Sequence, residues 1–479
     1  MEKIVGRKSE IALLNRIQNA EKPAFVALYG RRRVGKTFLV NQVFGSSLTF
    51  KMTGVIDGTL NDQFLAFADA MEDYGLPLTE KPTDWMSAFI LLKKALKPKV
   101  ERGERCVVFI DELPAMDVQN SGVAKAVGYF WNQWASLQDN FIFVICGSAT
   151  SWMIDNVIDS KGGLHDRITD ELHIRPFCLS EVEEYLVQNG FVWNRQMILQ
   201  TYMIFGGIPY YLSLLDRGES LVQNVDRLFF GTDSGMRREY KRLFNTLYKN
   251  PNGYMNIVAA LAKKRYGCTR QELADSLQCS NNGHLGEKIQ DLVHCDLVRK
   301  MVVQEKKLKK KDALYQLSDF FCVFYLNFIE KSEIENDYWS HHINTPEINT
   351  WLGLAFEQVC MEHVLQIKRA LRIDGISTIA YSWRSKESTP GAQIDIVLQR
   401  ADNIINICEV KYSQDAYELT KTEDEKLRNR MLAFKTETGL KHPLWLTLIT
   451  PEGLKPGMYS SSVQSVVTLD QLFEGDQRV

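Results

Sequence analysis

The chain has 479 residues, 45% apolar and 11% aromatic, enough for about three packed domains and too much for wholesale disorder. Lys+Arg 57 against Asp+Glu 59 leaves a net charge of −2, which excludes a polyanion binder by overall charge and requires the charge to be read by segment. Met1–Glu10 is charged and mixed, without the apolar core of a secretory signal, and the longest apolar runs fall short of a membrane span. Nine scattered cysteines read as free thiols, so the expected setting is a cytoplasm, away from membranes.

In chain order, Ala24–Tyr29, Cys106–Ile110 and Phe141–Cys146 read as strands buried on both faces and alternate with helical stretches, the pattern of a parallel α/β sheet. From Leu179 to Tyr248 the pattern is helical, broken at Gly206–Pro209. From Met255 to Leu317 helices lead into a basic, strand-like tail, and Ser332–Pro346 is a polar connector. After Trp351 a helix leads back into strands. The expected organisation is a core at 1–178, a helical lid at 179–248, a helix-turn-helix module at 249–318, a linker at 319–350 and a second mixed domain at 351–479.

Gly30-Arg-Arg-Arg-Val-Gly-Lys36-Thr37 fits G-x-x-x-x-G-K-[ST] between a strand and a helix, the context of a P-loop. Its glycines let backbone N–H groups face phosphates, Lys36 neutralises β/γ-phosphate charge and the Thr37 hydroxyl holds Mg²⁺. The expected nucleotide contacts are Gly30, Arg31, Arg32, Arg33, Val34, Gly35, Lys36, Thr37 and Phe38. The strand Cys106–Ile110 runs into Asp111, placed to orient Mg²⁺, and Glu112, placed to polarise the attacking water. The third strand ends at Gly147-Ser148, where Ser148 can report on the γ-phosphate or simply end a turn.

These motifs, with Val5-Gly6-Arg7 before them, resemble the archaeal-type branch of the AAA+/STAND ATPases. Gly206-Gly-Ile-Pro-Tyr-Tyr-Leu212 is similar to that family's GGxPxYL lid element. The resemblance implies an AAA+-like parallel sheet with a lid, ATP as cofactor, Gly6 and Arg7 by the adenine, and Ser148 as sensor. Arg167 resembles the family's post-sensor arginine, acting in cis, in trans or only as a surface ion pair.

Thr269 caps a helix with Leu273 and Leu277 on one face; a second helix runs from about Leu285 to His294, and a strand, a Glu305–Lys311 tip and Tyr315–Leu317 follow. Two helices and a wing make a winged helix-turn-helix. Between Leu261 and Lys311, 12 Lys/Arg face 6 Asp/Glu, a local net of +6. The module is either a DNA contact through Asn281, Asn282, His284, Lys288 and the wing, or a structural joint. Cys268, Cys279, His284, His294 and Cys295 lack the paired spacing of a zinc site.

Near the carboxyl end, Gln393–Leu398 and Ile404–Tyr412 read as a hairpin around 401–403, a register that sets Asp395 opposite Glu409 with Lys411 on the same face. Facing carboxylates repel unless a cation or proton joins them, which points to a divalent ion. Asp…Glu-x-Lys resembles the PD-(D/E)XK nuclease core and, with Gly353–Glu357, the carboxyl-terminal domain of unknown function (DUF234 type) paired with this ATPase branch. The resemblance implies a restriction-endonuclease-like α/β domain, with Glu357, Asp395 and Glu409 binding Mg²⁺ and Lys411 activating water. An inactive remnant is the alternative. The whole reads as an ATP-operated switch, with DNA, a protein partner or a second copy of the chain as candidate partners.

Overall fold

Five strands form the first sheet: β1 (Ala24–Tyr29), β2 (Leu48–Thr53), β3 (Cys106–Asp111), β4 (Phe141–Gly147) and β5 (Asp170–His173), all parallel in the order β2-β3-β4-β1-β5. The computed structural model describes residues 4–159, 162–164, 166–232, 234–264, 266–301, 313–330, 336–385 and 391–475. Every residue of β3 and β4 is buried, as continuous apolar runs require when helices cover both faces. Alternation divides β1 between two cores. Ala24, Val26 and Leu28 pack with residues of the helices Lys8–Asn19 and Lys36–Phe44, while Phe25 and Ala27 pack with Leu60–Asp73, Trp85–Glu101 and Val123–Gln133.

Because β1 lies beside β4, and β4 beside β3, the carboxyl ends of these strands open on one edge, where α/β sheets bind ligands. The chain leaves β1 through Gly30, whose φ is 141°; a Cβ there would lie 2.2 Å from the Ile174 carbonyl oxygen. Only glycine fits both demands. The helices Leu179–Gln188, Arg195–Phe205, Pro209–Leu212 and Gly235–Leu247 follow the sheet. Gly207 sets their approach: its carbonyl accepts from Phe177 N at 2.6 Å, and a Cβ on it would lie 1.8 Å from Phe177 O.

The helices Pro251–Ala262, Arg270–Ser276 and Gly283–His294 precede an antiparallel pair, β6 (Val298–Met301) and β7 (Leu314–Leu317). Thr269 caps its helix as expected, in a reciprocal box with Glu272. The basic tip expected at 305–311 lies outside the described residues.

The segment 319–350 is not a free linker. It carries the helices Phe320–Phe324 and Tyr338–His342, and the Phe324 and Phe328 rings lie 5.5 and 5.3 Å from Trp351. Trp339 N donates to Asp226 Oδ1 at 2.7 Å, which ties the segment back to the first half of the chain. Its polar residues suggest a connector by composition; its aromatic residues are what the fold buries. One apolar cluster runs from the first sheet through this segment to the last, so the expected divisions are changes of architecture within a shared core.

The second sheet has the order β12-β11-β10-β9-β8, with β8 (Thr378–Arg384), β9 (Gln393–Arg400), β10 (Ile405–Val410), β11 (Leu444–Ile449) and β12 (Ser465–Val467). β8, β9 and β10 are antiparallel; β10, β11 and β12 are parallel, with the helix Lys421–Thr438 as the β10–β11 crossover. The β9–β10 register, Ile405↔Gln399 to Cys408↔Ile396, is the one expected from the turn. The next step sets Asp395 opposite Glu409. All nine cysteines are free thiols, and no helix is long and apolar enough to cross a membrane among the described residues.

Candidate functional site

At the open edge of the first sheet, three strand ends supply the chemistry. Lys36 Nζ donates to Gly30 O at 2.8 Å, Arg31 O at 3.0 Å and Ser148 Oγ at 2.9 Å, so the lysine is folded onto its own loop. Thr37 Oγ1 donates to Asp111 Oδ2 at 2.7 Å, and Glu112 N donates to Asp111 Oδ1 at 3.0 Å. Glu112 accepts from Ser148 N at 3.0 Å and from Ser148 Oγ. Lys36, Ser148 and Glu112 thus form one hydrogen-bonded chain. Glu112 has a φ of 49°, uncommon for a side-chain-bearing residue and a recurrent feature of functional sites.

These groups border a cavity of about 660 Å³, lined by Arg7, Val34, Lys36, Glu112, Ser148 and Tyr210 among others, a volume suited to a nucleotide. Arg7 is buried, lies over the Phe177 ring at 4.8 Å and donates through Nη2 to Val34 O at 3.1 Å. Gly6 packs on Glu181, while its neighbours Val5 and Arg7, and Phe38, border the cavity. The converging Thr37 hydroxyl and Asp111 carboxylate suit a magnesium ion, a hard cation that prefers oxygen ligands.

The P-loop arginine side chains have partners of their own: Arg31 pairs with Asp319, Arg32 Nη1 donates to Thr246 Oγ1 at 2.7 Å, and Arg33 Nη1 pairs with Glu239 at 2.7 Å, while Arg32 and Arg33 also border the cavity. Burial alone lowers the affinity of the Arg31 guanidinium for its proton, and Asp319 more than reverses this. Arg167 is exposed and does not border the cavity; it has no ion-pair partner among the described residues. Tyr185, Gln188 and Asn189 line the cavity from the lid and carry no motif that announces them.

The helix Gly283–His294 lies against the sensor end of the first sheet. Ser151 Oγ is 3.3 Å from His294 Nδ1, and His284 and Lys288 line a cavity of about 340 Å³ with Thr150, Trp152 and Tyr248. Asn282 caps the helix by accepting from Leu285 N at 3.1 Å, and Asn281 donates to Gln271 at 2.8 Å. Of the four candidate DNA-reading residues, Asn281, Asn282 and His284 are exposed and Lys288 is half-buried.

In the second sheet, Asp395 and Glu409 are buried side by side, and the charge problem has a solution the sequence reading did not contain. Arg430 Nη1 donates to Glu409 Oε1 at 2.9 Å and to Oε2 at 2.7 Å, and Lys411 Nζ pairs with Oε1 at 2.7 Å. Asp395 Oδ2 accepts from Val410 N at 2.9 Å. Burial, then the Glu409 charge, push the Asp395 carboxyl up from 3.8 to about 7. Arg430, Lys411 and the raised Asp395 carboxyl ease the repulsion between the two carboxylates. Glu357 shares a small cavity with Asp395, but among the described residues no group of three or more His, Cys, Asp or Glu is gathered to hold a metal. As placed, the residues do not fit a bound cation, because Arg430 occupies both Glu409 oxygens.

The raised Asp395 value has a signed consequence. Between pH 3.8 and about 7 the folded carboxyl holds a proton that the unfolded chain has lost. Stability therefore falls as pH rises through this window, by up to about 1.4 kcal/mol per pH unit, and levels off above it. Asp395→Asn should remove the slope. Urea unfolding at pH 4.5 and 7.5 checks it, and equal wild-type-to-variant differences at both values would contradict the burial argument.

Comparison with known proteins finds a family match over the first sheet and the helices that follow it. Residues 4–215 match the model of an ATPase domain predominantly from Archaea, and residues 321–427 match DUF234, archaeal and bacterial proteins of unknown function. An uncharacterized protein of Methanocaldococcus jannaschii is 24% identical over 371 residues, 76% of this chain and 78% of its own. Among solved structures, a Walker-type ATPase of Pyrococcus abyssi covers 67% of this chain and 96% of its own, at 17% identity and a TM-score of 0.44. The ORC2 protein of Aeropyrum pernix, in ADPNP and ADP complexes, covers 68% and 95%, at 15% identity and a TM-score of 0.39. The chain thus carries a match to an ATPase domain family over residues 4–215 and to DUF234 over residues 321–427.

Proposed function

We propose that the protein is an ATP-binding and ATP-hydrolysing switch whose nucleotide state sets the arrangement of its helical and carboxyl-terminal parts. The observation that carries this reading is the convergence of Lys36, Thr37, Asp111, Glu112 and Ser148 at one edge of a parallel sheet, beside a nucleotide-sized cavity. Thr37 and Asp111 would hold magnesium, which would supply positive charge against the phosphate chain of ATP. Lys36 exchanges its loop carbonyls for phosphate oxygens, Ser148 senses the terminal phosphate, and Glu112, released from Ser148, orients water. Nucleotide titration and a turnover assay on the full chain, with Lys36 and Glu112 variants, test the reading.

The middle segment reads as a winged helix, and its placement favours a joint over a DNA reader. His284, Lys288 and His294 lie toward the sensor end of the ATPase sheet, so movement there is felt by the helix Gly283–His294. DNA contact through the basic segment 302–312 is the competing reading, and a filter-binding assay with duplex DNA at several salt concentrations separates the two.

The carboxyl-terminal sheet, with Asp395, Glu409 and Lys411 on one face, supports descent from a PD-(D/E)XK nuclease. The Arg430–Glu409 pairing favours the reading in which it no longer cuts and serves as a regulatory or binding module. Plasmid DNA incubated with the wild-type protein and Mg²⁺ or Mn²⁺ should stay intact. Cleavage that disappears in Asp395→Ala and Lys411→Ala would restore the nuclease assignment.

A further inference from the structure

Arg31 leaves the P-loop in a direction that phosphate binding does not explain. Arg32 and Arg33 reach the helix Gly235–Leu247, through Thr246 and Glu239. Arg31 instead donates through Nη1 to Asp319 Oδ2, and the two side chains are 1% and 5% exposed. Asp319 belongs to neither matched region, 4–215 or 321–427. Its other oxygen caps the helix Phe320–Phe324 by accepting from Cys322 N at 2.8 Å. At its backbone, Arg31 O accepts from Lys36 Nζ at 3.0 Å. One residue is therefore held by the phosphate-binding lysine on one side and by a carboxylate from the second half of the chain on the other.

The pair is also incompletely satisfied. Among the described residues, the buried Arg31 Nε and Nη2 have no hydrogen-bond partner, an arrangement native proteins rarely keep without cause. Beside the pair lies a cavity of about 530 Å³ bordered by Arg31, Asp319, Gly207, His294 and Phe320. A guanidinium short of partners next to open space has both a reason and the room to rearrange.

We propose that Asp319 is a positioning residue of the P-loop, and that the Arg31–Asp319 pair carries nucleotide occupancy to the helix Phe320–Phe324 and the sheet that follows it. When Lys36 turns to phosphate it releases Gly30 O and Arg31 O, the loop reshapes, and the guanidinium moves on its carboxylate. The proposal rests on ATP binding at the P-loop. It adds that residues 4–215 hold an incomplete site, because one determinant of the loop's shape lies at 319.

Hydrogen exchange of the full chain with and without ATP and Mg²⁺ tests the joint, with ATP affinity measured alongside. In the wild type, protection over 319–330 should change on ATP addition. Asp319→Asn keeps an oxygen for the helix cap and removes the charge. It should bind ATP about 10-fold more weakly and lose the response at 319–330, with unchanged exchange in the β3 and β4 strands. Arg31→Lys combined with Asp319→Asn should be no worse than the weaker single variant, because both break one interaction. Wild-type protein that binds ATP without altered exchange at 319–330 overturns the joint alone. An Asp319→Asn variant that keeps both affinity and response does the same, and a wild type that binds no ATP removes the site reading together with the joint.

Discussion

Lys36→Ala should lose ATP binding by on the order of 100-fold or more, the equivalent of about 2.8 kcal/mol. The ammonium makes three hydrogen bonds of 2.8–3.0 Å within a buried site, and each is replaceable by a phosphate oxygen of opposite charge. Charge-assisted bonds contribute about 1.5–3 kcal/mol each, so two phosphate contacts account for the loss. The same change leaves Gly30 O and Arg31 O without their donor, so thermal unfolding must be followed beside nucleotide titration. A variant that remains folded and binds ATP as the wild type does would sink the site assignment.

Glu112→Gln should separate binding from chemistry. The amide is isosteric and keeps an oxygen to accept from Ser148 N, so ATP affinity should stay within about threefold, a change under 1 kcal/mol. Turnover should fall about 10²–10⁴-fold, the range for loss of a general base. The variant should then hold ATP long enough to be found with it after gel filtration. Equal turnover in wild type and variant would make Glu112 a structural partner of Ser148 and leave a nucleotide-binding scaffold. The hydrogen bonds from Ser148 to Glu112 show why both outcomes are physically available: in this arrangement the carboxylate is engaged by Ser148.

Much of the site was legible before any fold was known, and for a local reason. A P-loop is a contiguous backbone device, so its glycines, lysine and hydroxyl must follow one another, and Asp111-Glu112 must end a buried strand. The β9–β10 register was legible on the same grounds, since a three-residue turn sets which residues face each other. Arg430 was not legible. It sits on the crossover helix Lys421–Thr438, 21 positions from Glu409, and no spacing rule links a helix residue to the strand before it across a ten-residue loop. That one side chain changed the meaning of the carboxylate pair, from a cation site to an ion-paired, partly protonated cluster.

The segment 319–350 marks the same boundary. Its polar residues read as a connector because composition is averaged along the chain, while burial is decided one side chain at a time. Phe324, Phe328 and Trp339 meet Trp351, and Phe320 meets Tyr202 of the first half, only once the helices are packed. The P-loop arginines follow this logic too. By sequence they are loop residues near phosphates; in the fold their side chains reach Asp319, Thr246 and Glu239.

By itself the sequence determined the parallel sheet, the P-loop, the acid pair at a strand end, the helix caps and the carboxyl-terminal hairpin, because each depends on neighbours in the chain or on a period of two or 3.6. Tertiary structure alone decided what those parts do to one another: which cation meets Glu409, where the P-loop arginines anchor, and that the helix Gly283–His294 leans on the sensor turn. Contacts between residues hundreds of positions apart depend on how whole faces pack, and no local pattern carries that information.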